Sequence, residues 1–435
     1  MQENTIKKTK NGRTVSDRPD EKTIYFWNIA GSACNAFVSV LLLAAVTHIL
    51  EPADSDIFSI AWAIVQLALT VGTFQVRLYQ ATDVSGKYSF RQYLIFRLIT
   101  MAAMIGVALC NIFIHHYTGY KAAVILALCV YKAIEALSDV YQGWFQQKER
   151  LDLAGKALSI RVILVLIAFV ITIKVSGNLL IGCFSMIAVG IICFLLFEIR
   201  YLVFGAFDLG EKKEKGFRWL ITLFVVCFPL FLNSFLVMSI FNAPKLAIDR
   251  AIANGLMKTG EQTIYGIIFM PTSVINLMYI VFRPVITRMA IVWQQKRKDE
   301  YLRLMKGVLV KLSLISFAIL VGGYLLGIPA LTIVYGVDLT EAKMALMLLL
   351  LAGGLNTFVN VLDNSLTVIR RQYLLVIAYV ITWGFAVIAA PQMVNRFGIN
   401  GAALSFLLSM VVLLIVVLIL FLISIKKAEA ELMDE

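Results

Sequence analysis

From residue 24 onward the chain alternates between long apolar stretches and short polar breaks. A helix needs about 20 consecutive apolar residues to cross the hydrocarbon core of a bilayer. Runs near that length fall at 24–49, 56–80, 90–115, 119–146, 154–174, 178–204, 217–243, 262–290, 307–327, 341–369, 373–393 and 398–425. They are continuous rather than alternating at every second position, which predicts helices and not the strands of a closed barrel. The expectation is an all-α polytopic membrane protein with 12 transmembrane helices.

Composition sharpens this. Of 435 residues, 60% are hydrophobic and 15% charged, against 45–50% apolar and about 25% charged in soluble domains. A soluble fold could not hide that much apolar surface, and disorder requires the opposite balance. The six cysteines are scattered through apolar runs without metal or disulfide spacing. The first 23 residues are polar and carry six Lys or Arg, with no apolar h-region of a signal peptide.

The net charge of +12 would suggest nucleic acid in a soluble protein. In a membrane protein it reports topology, because Lys and Arg stay on the cytoplasmic side. With both termini inside, 31 of the 39 Lys and Arg fall in cytoplasmic segments or adjacent helix ends, including those around 77–97, 148–161 and 283–311. Seven fall outside, and Lys132 alone is assigned to the membrane interior. Nucleic acid is not an expected partner.

The two halves resemble each other. Asp54-Ser-Asp-Ile-Phe-Ser-Ile60 opens the second run, and Glu261-Gln-Thr-Ile-Tyr-Gly-Ile267 opens the eighth, 207 positions later. Asp139 ends the fourth run before Lys148 and Arg150, and Asp363 ends the tenth before Arg370 and Arg371. A parallel repeat of six helices is common in secondary transporters. The expected organisation is a cytoplasmic tail (1–23), an N-lobe of spans 1–6 (24–207), a linker (208–216), a C-lobe of spans 7–12 (217–425) and a second tail (426–435).

Polar residues inside the apolar runs are the candidate chemistry, since intramembrane charge is costly and faces a cavity or a partner. Lys132, Glu135 and Asp139 share one face of span 4. They are either a self-satisfied packing cluster or the lining of a polar cavity. Asn28 and Asn35 form a stripe with Ser32 and Ser39 on span 1, and Asn356, Asn360 and Asp363 form one with Asn364 on span 10. Such stripes either glue helices together or line a shared lumen. Span 8 adds Asn276 and Arg283; span 7 adds Asn233, with Lys245 and Asp249 near its outer end. Arg77 and Arg283, with Arg288, close spans 2 and 8 on the inner side. They are either inside-positive anchors or donors to an anionic headgroup, for which the planar guanidinium is well shaped. No GxxxxGK[ST] loop is present, and no outward loop is long enough for a catalytic domain, so an enzyme such as a polysaccharide polymerase is not the expected reading.

Several segments, in order, resemble one family. They are Asn28-Ile-Ala-Gly-Ser-Ala-Cys-Asn-Ala36, His48-Ile-Leu-Glu-Pro52, Ile57-Phe-Ser-Ile-Ala61, Glu135-Ala-Leu-Ser-Asp139 and Phe145-Gln-Gln-Lys-Glu-Arg-Leu151. Ala243-Pro-Lys-Leu-Ala-Ile-Asp-Arg250, Phe282-Arg-Pro284, Gly327-Ile-Pro329, Tyr335-Gly-Val-Asp-Leu339 and Phe397-Gly-Ile-Asn-Gly-Ala402 follow. Together they resemble bacterial polysaccharide (Wzx-type) flippases of the multidrug/oligosaccharidyl-lipid/polysaccharide (MOP) superfamily. Leu246 stands where an aromatic residue is common, so that stretch matches less well. The resemblance implies two six-helix bundles around a cationic lumen in the bacterial cytoplasmic membrane, and a non-enzymatic flippase. It implies an undecaprenyl-diphosphate-linked oligosaccharide as substrate, with polysaccharide polymerase and chain-length machinery as partners, for O-antigen, capsule or exopolysaccharide. It places Lys132, Glu135 and Asp139 at the cavity or gate of the N-lobe, Arg283 as the C-lobe counterpart, and Lys245 and Asp249 near the outer gate. It implies no organic cofactor, and proton or sodium coupling that no single residue here establishes. The alternative is a cation-coupled multidrug exporter of the same superfamily, expected to carry a more apolar, aromatic cavity.

Overall fold

A computed structural model describes residues 20–83, 86–117, 119–203, 216–278 and 283–434. The tail to residue 19 and the expected linker, apart from Gly216, lie outside the described residues. So do the side chains of Asn276 and Arg283, and with them those two candidate site assignments.

Among the described residues the structure is entirely helical. The first half holds α1 (Glu21–Ile49), α2 (Pro52–Thr73), α3 (Val76–Thr82), α4 (Phe90–Ile114), α5 (Gly119–Gln147), α6 (Leu151–Ser176), α7 (Leu179–Phe194) and α8 (Arg200–Val203). The second half holds α9 (Arg218–Ala253), α10 (Glu261–Met278), α11 (Arg283–Gln294), α12 (Lys298–Gly322), α13 (Ile328–Tyr335), α14 (Lys343–Val368) and α15 (Leu375–Asp434). Nine described helical segments are long and apolar enough to cross a membrane. α5 falls short because its polar face dilutes it. The last segment holds two expected spans, 373–393 and 398–425, broken at Gly398, whose φ of 56° and ψ of −134° are non-helical. The protein is a multi-pass membrane protein. The apolar surface it leaves open agrees, for none of the most apolar stretch between Lys298 and Tyr335 is buried, as expected of a helix face that meets lipid.

Local sequence sets the helix ends. Ser89 and Gln92 form a reciprocal capping box at the start of α4. Asn178 caps α7 by accepting from the backbone N–H of Leu180 (2.9 Å) and Ile181 (3.2 Å). Gly177 closes α6 in the left-handed region, where a Cβ would be strained. In the loop before α14, Asp338 accepts from the Thr340 hydroxyl (2.6 Å) and backbone N–H (3.0 Å). Those bonds hold its carboxyl below the usual carboxylate range.

The chain divides into two compact units. Unit 1 is Met1–Ala45 with Ile64–Phe231; unit 2 is Val46–Ala63 with Leu232–Glu435. The exchange points lie inside α1, α2 and α9. In unit 1, α1 and α6 cross closely, since a Cβ on Gly31 would lie 3.0 Å from the Gly155 carbonyl oxygen. An aromatic core packs Phe74 face to face on Phe231 at 4.4 Å and Phe90 on Trp144 at 4.5 Å. In unit 2, Phe241, Phe269 and Phe406 meet edge to face at 5.1–6.0 Å.

Unit 2 also contains a bond that echoes the repeat. Asp56, at the start of α2, accepts from the backbone N–H groups of Gly260 (2.5 Å) and Thr263 (2.8 Å) and from the Thr263 hydroxyl (2.6 Å). Asp56 and Thr263 are 207 residues apart, the separation at which the sequence aligns its two halves. The carboxylate thereby satisfies N–H groups at the start of α10 that have no helical partner. Asp56 is 8% exposed. Asp56→Ala should therefore lower unfolding free energy by about 1–3 kcal/mol, the usual cost of stranding buried donors. Thr263→Val, which removes one of the three bonds, should cost less. Thermal unfolding of the two variants in detergent checks the order.

Candidate functional site

The polar face of α5 organises unit 1. Lys132, Glu135, Ser138, Asp139 and Gln142 recur at three- and four-residue spacing, so they project together. Asp139 sits between two guanidinium groups: one oxygen lies 2.7 Å from Arg97 on α4 and the other 3.3 Å from Arg77 on α3. Arg77 also donates to the Gln142 side-chain oxygen at 2.9 Å.

Arg97 is fully buried and is answered a second time. It donates to the Gly72 carbonyl at 2.7 Å, an oxygen that also accepts from the Thr100 hydroxyl at 2.8 Å. That carbonyl is free because α2 stops at Thr73: Phe74 and Gln75 adopt φ of 45° and 53°, and the ladder breaks. An end-of-helix carbonyl without a partner attracts a cation.

A second group adjoins the first. After α7 the backbone widens into a π turn at Leu195–Ile199, a distortion that redirects side chains. Glu198, within it, is 1% exposed and accepts from the Ser138 hydroxyl and from Arg161 on α6 at 3.1 Å. Lys132 pairs with Glu135 at 2.7 Å. The whole network has four cations (Arg77, Arg97, Lys132, Arg161) and three carboxylates (Glu135, Asp139, Glu198), a surplus of one positive charge. Arg97, Lys132, Arg161 and Glu198 are buried, whereas the side chains of Arg77, Glu135 and Asp139 stay 30%, 21% and 21% exposed. These three are what the network can offer to a polar solute.

The remaining candidates are distributed. Asn28 and Asn35 are exposed on α1; the Asn28 carbonyl accepts from Ser32 at 2.8 Å. In unit 2, the Lys245 ammonium lies 4.4 Å from the centre of the Phe269 ring, and Asp249 is buried one turn later. Asn356 is buried on α14, and Asn360 accepts through its carbonyl from Asn364 at 2.7 Å. Asp363 accepts from the Tyr379 hydroxyl on α15, while its other oxygen and the side-chain oxygen of Asn233 are buried without a hydrogen bond. Among the described residues, no group of His, Cys, Asp and Glu is arranged to hold a metal ion.

Two points of the sequence reading need correction. Arg97 and Arg161 are counted there with the cytoplasmic charges, yet both are buried ion-pair partners. Burial of the charge is the physical reason: each guanidinium has a carboxylate on a neighbouring helix, 42 and 37 residues away. Glu198 and Tyr379 were missed altogether. The available signal was position, since Arg97, Arg161, Glu198 and Tyr379 all fall inside the apolar runs.

No family profile and no curated protein matches the sequence. Solved structures do match, over nearly the full length. An inward-facing multidrug resistance MATE family transporter of the MOP superfamily superposes with a TM-score of 0.64 at 16% identity, covering 94% of this chain and 95% of that one. A Vibrio cholerae MATE transporter gives 0.61 at 12% identity, covering 93% and 97%. A MOP superfamily transporter from Pyrococcus furiosus, described as having a binding pocket of reverse polarity, gives 0.55 at 15% identity, covering 96% and 99%. The chain has the MATE fold.

Within that MATE fold, the unit 1 network makes a direct demand on stability. Removing one partner of a buried ion pair typically costs 3–5 kcal/mol because the other charge is left behind. Arg97→Leu should cost about that much. In a double-mutant cycle with Asp139→Asn, the coupling should exceed about 1 kcal/mol. Denaturation of the four proteins in one detergent measures it, and additive costs would mean that the pair does not act as a unit.

Proposed function

We propose that this protein is a flippase for undecaprenyl-diphosphate-linked oligosaccharides. It would turn repeat units from the inner to the outer leaflet of the bacterial cytoplasmic membrane for surface polysaccharide synthesis, by alternating access. In this reading twelve spans form two six-helix bundles with both termini in the cytoplasm, and polymerase and chain-length proteins take the product. The observation that carries it is the ionic network of unit 1, positive overall and open at Arg77, Glu135 and Asp139. The ordered motifs shared with Wzx-type flippases support it, and the MATE fold is compatible with it.

The physical logic concerns the head of the cargo. Stripping water from a sugar diphosphate costs several kcal/mol for each polar group left without a partner. Guanidinium groups replace that water for the phosphates, amides such as Asn28, Asn35, Asn356 and Asn360 serve the sugar hydroxyls, and the polyprenyl tail stays in lipid. Lys132, buried against Glu135, sets the charge of the α5 face without being consumed in the cycle. Fold alone does not choose the cargo. The reverse polarity described for the Pyrococcus furiosus protein supports reading charge, rather than topology, as the guide.

A second reading, multidrug export, is favoured by one feature: the cluster of Phe241, Phe269 and Phe406 with Lys245 in unit 2. The two readings separate in cells depleted of the protein. A flippase predicts accumulation of complete lipid-linked repeat units with loss of surface polymer; an exporter predicts unchanged polymer and greater sensitivity to lipophilic cations. In the first case, Lys132→Ala and Arg283→Ala should reduce transport more than they reduce protein level. Full transport by both variants would remove the cationic-lumen mechanism.

A further inference from the structure

The turn between α11 and α12 forms a basic pocket of about 700 Å³ that the transport reading does not use. Five cationic side chains line it: Arg288 from α11, Lys296 and Arg297 from the turn, and Lys298 and Arg303 from α12. Two carboxylates, Asp299 and Glu300, leave a net charge of +3. Glu300 holds Arg297 at 2.5 Å and Arg288 at 3.6 Å, so one carboxylate latches two of the guanidinium groups from one side.

The pocket is built on a firm base. Trp293 and Tyr301, both buried, pack with ring centres 5.1 Å apart, and they tie the two helices together beneath the turn. Lys296 takes the left-handed conformation, with φ of 58°, which turns the chain sharply into α12. The first turn of α12 has no side-chain cap from Arg297, so its N–H groups add to the positive potential. The surface of α12 then changes within a few turns: Arg303, Lys306 and Lys311 are exposed, and beyond them come the exposed apolar Leu314 and Phe317. Cations immediately before a lipid-facing apolar surface lie at headgroup depth.

We propose that this pocket binds the headgroup of an anionic phospholipid of the inner leaflet. Guanidinium and ammonium groups supply the donors for a phosphodiester, the concave shape distinguishes it from a diffuse basic surface, and the acyl chains continue along the apolar flank of α12. The site belongs to unit 2 alone and does not depend on what the protein carries.

The test compares lipid retention by the full-length protein in neutral detergent with phosphatidylglycerol or phosphatidylcholine, read by native mass spectrometry. Phosphatidylglycerol should be retained and phosphatidylcholine lost. Lys298→Gln with Arg303→Gln should weaken phosphatidylglycerol retention about 30-fold, from roughly 1 kcal/mol per cation near a membrane surface. Glu300→Gln, which releases Arg288 and Arg297, should strengthen it by up to about fivefold on the same scale. Lys426→Gln with Lys427→Gln, exposed on the C-terminal end of α15, should change nothing. The proposal fails if that control weakens retention as much, or if Glu300→Gln weakens it. It also fails if millimolar inorganic phosphate displaces the lipid, for that would make the pocket a free-phosphate site. Where the double variant unfolds in phosphatidylcholine, the sign of the Glu300→Gln effect decides alone.

Discussion

The interaction on which the rest of unit 1 depends is the answer that Asp139 receives from Arg77 and Arg97. A carboxylate among packed membrane helices is expensive, and a guanidinium is no cheaper; each is tolerable because the other is there. The pair also fixes geometry. Arg97 reaches Asp139 only with α4 and α5 in register, and Arg77 reaches it only with α3 set back from the end of α2. Three helices are thus specified by one side chain, in a setting where apolar packing alone discriminates weakly because lipid is as apolar as the helices themselves.

Backbone irregularities make this possible. The left-handed pair Phe74 and Gln75 ends α2 and opens the Gly72 carbonyl to Arg97. The π turn at Leu195–Ile199 brings Glu198 to Arg161 and Ser138. Two further glycines sit on irregular backbone: Gly327 closes a second π turn at Gly323–Gly327, and Gly398 breaks α15. A helix with every bond intact can present polar groups only on one stripe. Breaking it at a chosen residue lets a group depart from the stripe, at the cost of a carbonyl that some donor must then satisfy.

The sequence was informative where the physics is local. Apolar runs of bilayer length fall on helices, and the α5 stripe of Lys132, Glu135 and Asp139 is a real face; the Ser89/Gln92 capping box is equally local, with its partners three residues apart. The pairing of that face could not be read. Arg97 and Arg161 lie near basic turns, and charge counting cannot tell a guanidinium that snorkels to the surface from one that turns inward to a carboxylate 37 or 42 residues away. Glu198 was harder still, since a π turn has no periodic signature. The correspondence of Asp56 with Thr263 was visible as an alignment of halves, but not as a hydrogen bond, because a repeat states which positions are equivalent and not which ones touch.

The two halves keep the position of a carboxylate while changing its company. Asp139 near the end of α5 meets two arginines; Asp363 near the end of α14 meets the phenol of Tyr379, with its second oxygen unbonded. Unit 1 therefore carries its carboxylate within a net positive network, and unit 2 carries its own among amides and a hydroxyl. A helical framework shared at 12–16% identity with MATE transporters constrains where such side chains can be placed, but not their sign. The character of each polar face must then be read from its own side chains, since a guanidinium favours anions and an aromatic ring favours organic cations.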